Sequence, residues 1–196
     1  MTKKIFIWVA HPNKGTFCEA LADQYAQGAK AQGAEVRRME LSEMRFNPHF
    51  QGYTKNMPEL EPDLLKWQEC IDWADHIMVI HPYWWGAMPS LAKAVFDRAL
   101  TPGFAYKYHK KGVKWDQLLK GKTGDAIITS DTPSWIDSLV YLSTGRRVIK
   151  NQVFKFCGIK PRTIAQFGSV KMADDKQMNK WLERASDFGS KAALTA

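Results

Sequence analysis

The sequence predicts a single α/β domain, 1–196, in which an open five-stranded parallel sheet carries helices on both faces. Three observations predict it. Near-continuous apolar runs, the mark of parallel strands buried on both faces, recur along the chain. Stretches with helical spacing lie between them, and right-handed crossovers leave few topologies for such an alternation. The chain has 196 residues, 45% hydrophobic and 24% charged, enough to bury one full core, and no repeat, low-complexity tract or linker interrupts it.

The elements follow in order. KIFIWVA (4–10) is the first strand. CEALADQYAQGAKAQG (18–33) is a helix, with Ala20, Leu21, Tyr25 and Ala29 near helical spacing and Gly33 as its stop. AEVRRMEL (34–41) is a short strand, and 59–75 returns to helical period through Leu64, Leu65, Trp67, Ile71 and Trp73. HIMVIHP (76–82) is a second fully buried strand. Ser90 is the expected N-cap of LAKAVFDRAL, because Ser caps well and Pro89 blocks helix upstream. TGDAIITS (123–130) is a strand, 138–158 an amphipathic and mostly helical stretch, KPRTIAQFG (160–168) the last strand and 173–193 the closing helix.

Charge and cysteines restrict the function classes. The formal charge of +8 suits nucleic acid, anionic lipid or phosphorylated small molecules. The third is favoured, because the basic residues are scattered and the densest cluster, KYHKKGVK (107–114), has neither the length of a nucleic-acid arm nor a reader signature; a solvated loop is its plain reading. Cys18, Cys70 and Cys157 form no pair at metal or redox spacing, so a reducing compartment and no metal site are expected. The N-terminal apolar run breaks at His11-Pro12, too short for a membrane span and without a signal-peptide pattern. The expectation is a cytoplasmic chain with no membrane insertion.

In open parallel sheets ligands bind beyond the carboxyl ends of the strands, where the strand order reverses. Three loops lie there. In AHPNKGTFCEALA (10–22) the first-turn amides of the helix suit a phosphate, with Thr16 as hydroxyl donor and His11 or Lys14 as positive donor. A plain capping box from Thr16 to Glu19 is an equal reading, and neither a Walker-A nor a GxGxxG pattern is present. HPYWWGAMP (81–89) places two indoles where turn residues are ordinary; core or dimer packing explains any single Trp, whereas the adjacent pair favours a planar aromatic ligand. ITSDTPSWIDS (128–138) offers Thr129, Ser130, Asp131 and Thr132 as hydrogen-bonding groups, or as helix caps.

The stretches HPNKGTFCEALA, HPYWWGAMPSLAKAVFDRALTPGFAYKY and FCGIKP resemble the flavodoxin-like NAD(P)H:quinone oxidoreductases. That family includes quinone reductases, modulator-of-drug-activity proteins and ancillary flavoproteins of glutathione-gated potassium efflux systems. The resemblance runs from about residue 4 to about 190 and implies a flavodoxin-like three-layer fold. It implies a homodimer with the substrate pocket at the subunit interface, binding FMN or FAD, reduced by NADH or NADPH and reoxidised by quinone-like acceptors. By position, His11, Thr16, Phe17 and Cys18 match the flavin phosphate segment, where the family usually has Asn at the place of Cys18. Pro82, Tyr83, Trp84, Trp85 and Gly86 match the segment along the isoalloxazine ring, and Tyr106 and Tyr108 the aromatic pair that roofs the partner's pocket. The third loop departs: Thr129-Ser130-Asp131-Thr132-Pro133 stands where many members have Thr-Thr-Gly-Gly, and Asp137 and Ser143 occupy the places of a Tyr and a His that relay charge.

The expected function is flavin-dependent two-electron hydride transfer from NAD(P)H to quinones, with Ser130 or a backbone N–H of its loop donating near the flavin N1–C2=O edge and Asp131 capping the following helix. FMN is expected over FAD because little chain follows the closing helix. FAD would require a groove beside the first loop, gripped by Phe17 and NPHFQGY (47–53). The rival readings are an ancillary regulatory subunit of a membrane potassium efflux system and a one-electron carrier.

Overall fold

A computed structural model of the chain describes residues 2–53 and 58–194. The strands β1 (Lys4–Val9), β2 (Glu35–Glu40) and β3 (His76–Pro82) alternate with helices α1 (Phe17–Ala31) and α2 (Pro62–Trp73), and α3 (Ser90–Ala99) follows. A small antiparallel hairpin, β4 (Tyr106–Tyr108) with β5 (Trp115–Gln117), precedes β6 (Thr123–Thr129). Short helices α4 (Ser134–Leu139) and α5 (Thr144–Arg147) and a π-helical segment, Val148–Lys155, lead to β7 (Lys160–Phe167) and α6 (Asp175–Leu194). The five-stranded sheet runs β2-β1-β3-β6-β7, parallel throughout. Strand order reverses between β1 and β3, which opens a crevice at their carboxyl ends.

Strand periodicity divides the core. Ile5, Ile7 and Val9 face α1 and α6 with Leu21, Tyr25 and Trp181, whereas Phe6, Trp8 and Ala10 face α2 and α3 with Trp67 and Phe96. The seven residues of β3, in the middle of the sheet, are all buried, as expected for a strand covered on both faces. Helices α1 and α6 approach closely because Gly28 and Gly189 lack side chains: a Cβ at either would lie 2.0 Å from a backbone oxygen, of Ser186 and of Tyr25 respectively.

All five sheet strands and the helices α1, α2, α3 and α6 lie where periodicity predicts them, within a few residues. Two local expectations are corrected and one is borne out. Ser90 is the first helical residue and Pro89 the cap, with no side-chain cap bond; the fixed φ of proline sets the helix entry instead. The solvated loop expected at 107–114 is exposed throughout, its residues 109–114 joining β4 to β5, and the hairpin is anchored where the Trp115 indole stacks on Phe156 at 4.8 Å and donates to its carbonyl at 2.8 Å. The stretch 138–158 is helical but broken, because Leu142 and Ser143 both adopt the left-handed conformation at φ of 52° and 55°.

At the amino ends of the strands a polar cluster is buried. His76 Nδ1 meets Thr123 Oγ1 at 2.7 Å, Tyr25 donates to Asp125 Oδ2 at 3.0 Å, and the Thr163 amide donates to Asp125 Oδ1 at 2.8 Å. It lies at the opposite edge of the sheet from the crevice. No helix among the described residues is long and apolar enough to cross a membrane.

Candidate functional site

The crevice is walled by the three loops that follow β1, β3 and β6. Their backbones are tied at the sheet edge: Ala10 N–H donates to Ile80 O at 2.7 Å, Tyr83 N–H to Thr129 O at 2.7 Å, and Ser130 N–H to Phe167 O at 2.9 Å. These bonds continue the sheet past its last ladder residues and give the loops fixed starting points.

In the first loop the capping box is not formed. Thr16 holds the N-cap position with extended backbone, but its hydroxyl caps nothing and is buried without a partner among the described residues. Glu19 reaches past it to accept the Gly15 amide at 3.0 Å. The amides of Phe17 and Cys18 have no intrahelical acceptor, whereas that of Glu19 donates to Thr16 O at 3.0 Å, so those two amides and the orphan hydroxyl form a donor set suited to an oxyanion. Gly15, at φ 69°, makes the turn that brings them together. Neither proposed positive donor serves here. His11 accepts the Asn13 amide through Nδ1 at 3.0 Å, and burial lowers its pKa, so it is a neutral Nε2–H donor. Lys14 pairs with Glu43 at 2.7 Å.

Phe17 and Cys18 contribute backbone only. The Phe17 ring lies 6.0 Å from that of Trp181 on α6. Cys18 is 2% exposed and its sulfur meets Thr129 Oγ1 at 3.4 Å; burial pushes the thiol pKa up to about 12, which keeps it protonated. The same contact engages the Thr129 side chain.

The second loop is a two-residue turn. Trp84 and Ala87 exchange backbone hydrogen bonds of 2.8 and 3.0 Å, while Trp85 and Gly86 both take positive φ, 51° and 76°, as a type I′ turn requires. Glycine suits this conformation and tryptophan does not. Trp85 is nevertheless held there with its side chain wholly in solvent, 103% exposed, beside Trp84 at 43%. The His11 ring stands edge-on to Trp84 at 5.6 Å, joining the first wall to the second. Pro82 is the buried last residue of β3.

The third loop corrects two expectations. Ser130 is 5% exposed; its hydroxyl donates to Thr132 O at 2.7 Å and accepts Gln166 Nε2 at 3.0 Å, and its amide is bound to Phe167. It shapes the loop and has no free donor for a ligand. Asp131 does not cap α4: it accepts the Lys171 amide at 3.3 Å and pairs with Lys171 Nζ at 2.9 Å, because Pro133 already sets the helix start.

The aromatic pair also divides. Tyr106 is 6% exposed and packs with Tyr53, Tyr108 and Phe156, with ring separations of 6.3, 5.1 and 5.1 Å. Tyr108, two residues on and on the same face of the strand, keeps its ring 5.1 Å from that of Tyr106 but is 60% exposed, so of the two only Tyr108 is free to reach a second subunit. The joint grip of Phe17 and 47–53 fails as well. Phe17 packs with the α1–α6 core, whereas Tyr53 donates to Asp97 O on α3 at 3.0 Å and Arg98 donates to Asn47 O, both beyond the opposite sheet face.

Two features escape sequence reading. His81, 1% exposed, contacts Pro82 O through Nδ1 at 2.8 Å and leaves Nε2 buried without a partner among the described residues; burial lowers its pKa to about 4. Asp137, fully buried, pairs with Arg146 at 3.1 Å beside Tyr83. An isolated His in a strand and a charge pair nine residues apart across a helix break have no periodicity to reveal them.

The orphan Thr16 hydroxyl, the first-turn amides and the exposed indoles fit a ligand with a phosphate at one end and a flat aromatic ring at the other, as a flavin mononucleotide has. A family model described as a flavodoxin-like fold matches residues 3–188. An uncharacterized NAD(P)H oxidoreductase of Haemophilus influenzae is 32% identical over 193 residues, covering 95% of this chain and 94% of that protein. The NAD(P)H:quinone oxidoreductase of Methanothermobacter marburgensis superimposes with a TM-score of 0.82 at 21% identity, over 100% of both chains. An FMN-dependent NADH-azoreductase of Bacillus anthracis, solved with FMN, does so with 0.72 at 17%, over 98% of this chain and 100% of that one. At those identities the two structures speak for the fold, and the family model together with the Haemophilus relative establishes that this chain belongs to the flavodoxin-like fold family.

Proposed function

We propose that the protein is a flavin-dependent NAD(P)H oxidoreductase that passes electrons in pairs to quinones or similar flat acceptors. One observation carries the reading: at the strand-order reversal the loop after β1 carries an unpartnered hydroxyl and two free helix amides, and the His11–Trp84 ring contact at 5.6 Å joins it to an exposed Trp84–Trp85 turn. The names of the Haemophilus and Methanothermobacter proteins agree with it. FMN is favoured over FAD because the groove foreseen for the adenosine is divided between opposite faces of the sheet.

When bound, the flavin supplies the hydride chemistry. Thr16 and the amides of Phe17 and Cys18 would hold its phosphate, with His11 donating through Nε2. The backbone of 82–86 and the Trp85 indole would lie along the ring. NADH or NADPH and then the acceptor would stack on its open face, excluding water. The enzyme would work as a homodimer: exposed Tyr108 and the exposed apolar run Leu139, Val140, Tyr141 and Leu142 would be covered by a second copy. Three buried free cysteines suit the reducing cytoplasm.

The test is an absorbance spectrum of the purified protein, repeated after loading with FMN. Stoichiometric flavin, bleached by NADH or NADPH and recoloured by a quinone, is the expected result. A protein that takes up neither FMN nor FAD overturns the reading.

A further inference from the structure

Tyr83 lies between the ring-wall turn and the broken helical stretch. Its hydroxyl accepts the Gly145 amide at 3.1 Å, and its ring covers Gly145 so closely that a Cβ there would sit 2.0 Å from Cε2. Behind it, the Asp137 side chain is 1% exposed; one oxygen takes Arg146 Nη2 at 3.1 Å and the other, Oδ1, has no hydrogen-bond partner among the described residues. The same Nη2 also donates to Ser138 and Ser143 hydroxyls at 2.7 Å each, and the Ser143 amide binds Asp137 O at 2.8 Å. Two consecutive non-glycine residues, Leu142 and Ser143, stand in the left-handed region, a strained conformation for both. Such strain persists where surrounding contacts over-determine it, and here those contacts converge on Asp137 and Arg146.

What this arrangement holds is a hydroxyl with a dischargeable proton. Thr129 and Ser130 are engaged internally, and Thr16 is buried in the phosphate loop. Tyr83 is half-buried at the crevice, with a carboxylate and a guanidinium as the charged groups acting on it.

We propose that Tyr83 donates the proton that completes quinone reduction, with Asp137 and Arg146 as its positioning residues. The inference rests on the quinone-reductase reading given above. Reduction of a quinone to a quinol consumes one hydride and one proton: NAD(P)H, a proton and quinone give NAD(P)⁺ and quinol. The hydride comes by way of the flavin. The Tyr83 O–H bond breaks as the second quinol O–H forms, and solvent water returns a proton to the phenolate. Quinol and tyrosine are both phenols, so the transfer runs between groups of like acidity and needs no large driving force. Burial and the Asp137 carboxylate raise the Tyr83 pKa, which keeps the proton in place between turnovers, while Arg146 and the Gly145 amide steady the transient phenolate.

The test compares two acceptors on FMN-loaded enzyme: a quinone, which takes a proton, and ferricyanide, which takes electrons alone. In Tyr83→Phe the ratio of quinone to ferricyanide turnover is expected to fall at least tenfold, the lower end of what a positioned acid contributes being larger still. Asp137→Asn should lower the same ratio less and shift the ¹³Cζ titration of Tyr83, assigned by its absence in Tyr83→Phe, to lower pH. FMN affinity, measured by fluorescence quenching, checks that the site is intact. A ratio that does not change, or equal losses with both acceptors, overturns the proposal. Wild-type protein that binds no flavin fails the functional reading instead. Should Asp137→Asn not fold, the Tyr83→Phe ratio still decides.

Discussion

Trp84 and Ala87 close a two-residue turn with reciprocal backbone hydrogen bonds of 2.8 and 3.0 Å, and the residue at its apex, Trp85, is held at φ 51° with its whole side chain in solvent. Nothing in the packing of the described residues accounts for an indole there. Replacing it with glycine relieves the left-handed backbone, so Trp85→Gly is expected to raise stability by about 1 kcal/mol while the protein retains FMN more weakly, by about fivefold, for loss of a stacking surface. Denaturant melts and flavin content after dialysis measure the two effects; parallel changes in both would remove the indole from the ring site.

His81 is buried at the end of β3 and its pKa is lowered to about 4. Below the unfolded value of 6.5 the unfolded chain takes up a proton that the folded chain refuses, so stability falls as pH drops from 6.5 towards 4 and the loss levels off below that. Over this window the cost is about 3 kcal/mol. Asp125, whose pKa is lowered by its His76 partner and hydrogen bonds against the effect of burial, also loses stability in acid, as its carboxylate protonates. Comparing wild type with His81→Gln between pH 7 and 4 isolates the histidine: the variant should show the shallower slope.

Tyr106 and Tyr108 share one face of the hairpin with their rings 5.1 Å apart, but they differ in burial, 6% against 60% exposed. Tyr106→Ala empties a place in an aromatic cluster and should cost about 3 kcal/mol of stability. Tyr108→Ala should leave stability within about 0.5 kcal/mol and raise the acceptor's KM if a second subunit is roofed by it. Thermal melts and steady-state kinetics distinguish the two, and a variant pair with interchanged effects would refute the assignment.

Glu19 places a carboxylate on the Gly15 amide at the mouth of the phosphate loop. Two charges at about 4 Å repel by about 1 kcal/mol even in water. Glu19→Gln keeps the hydrogen bond and drops the charge, so FMN should bind about fivefold tighter. Riboflavin, which lacks the phosphate, should show no such gain, and equal gains for both would disprove the electrostatic account.

The fold was legible because its signals are local. Buried parallel strands such as β1 and β3 are runs of apolar residues, and α1 and α6 repeat theirs at helical spacing, so neighbouring residues report the element without any knowledge of what packs on it. Motif resemblance added the family and the three crevice loops for the same reason, since HPYWWGAMP and HPNKGTFCEALA are continuous in sequence. The hairpin at 106–117 was missed because its strands are three residues each, too short to show a period, and are secured by Phe156, about forty residues away.

Which group in each loop remains free for a ligand was decided by the tertiary structure alone. Ser130 and Asp131 carry the right chemistry, yet Phe167, Gln166 and Lys171, all from beyond residue 160, take up their hydrogen bonds. The Thr16 hydroxyl is left unpartnered because the Glu19 amide donates to Thr16 O instead, and Tyr83 acquires a carboxylate and a guanidinium only because Leu142 and Ser143 reverse the chain. A residue type states what a side chain can donate or accept. Whether that capacity is still available depends on contacts between residues far apart in sequence, and those contacts leave no pattern in the order of the amino acids.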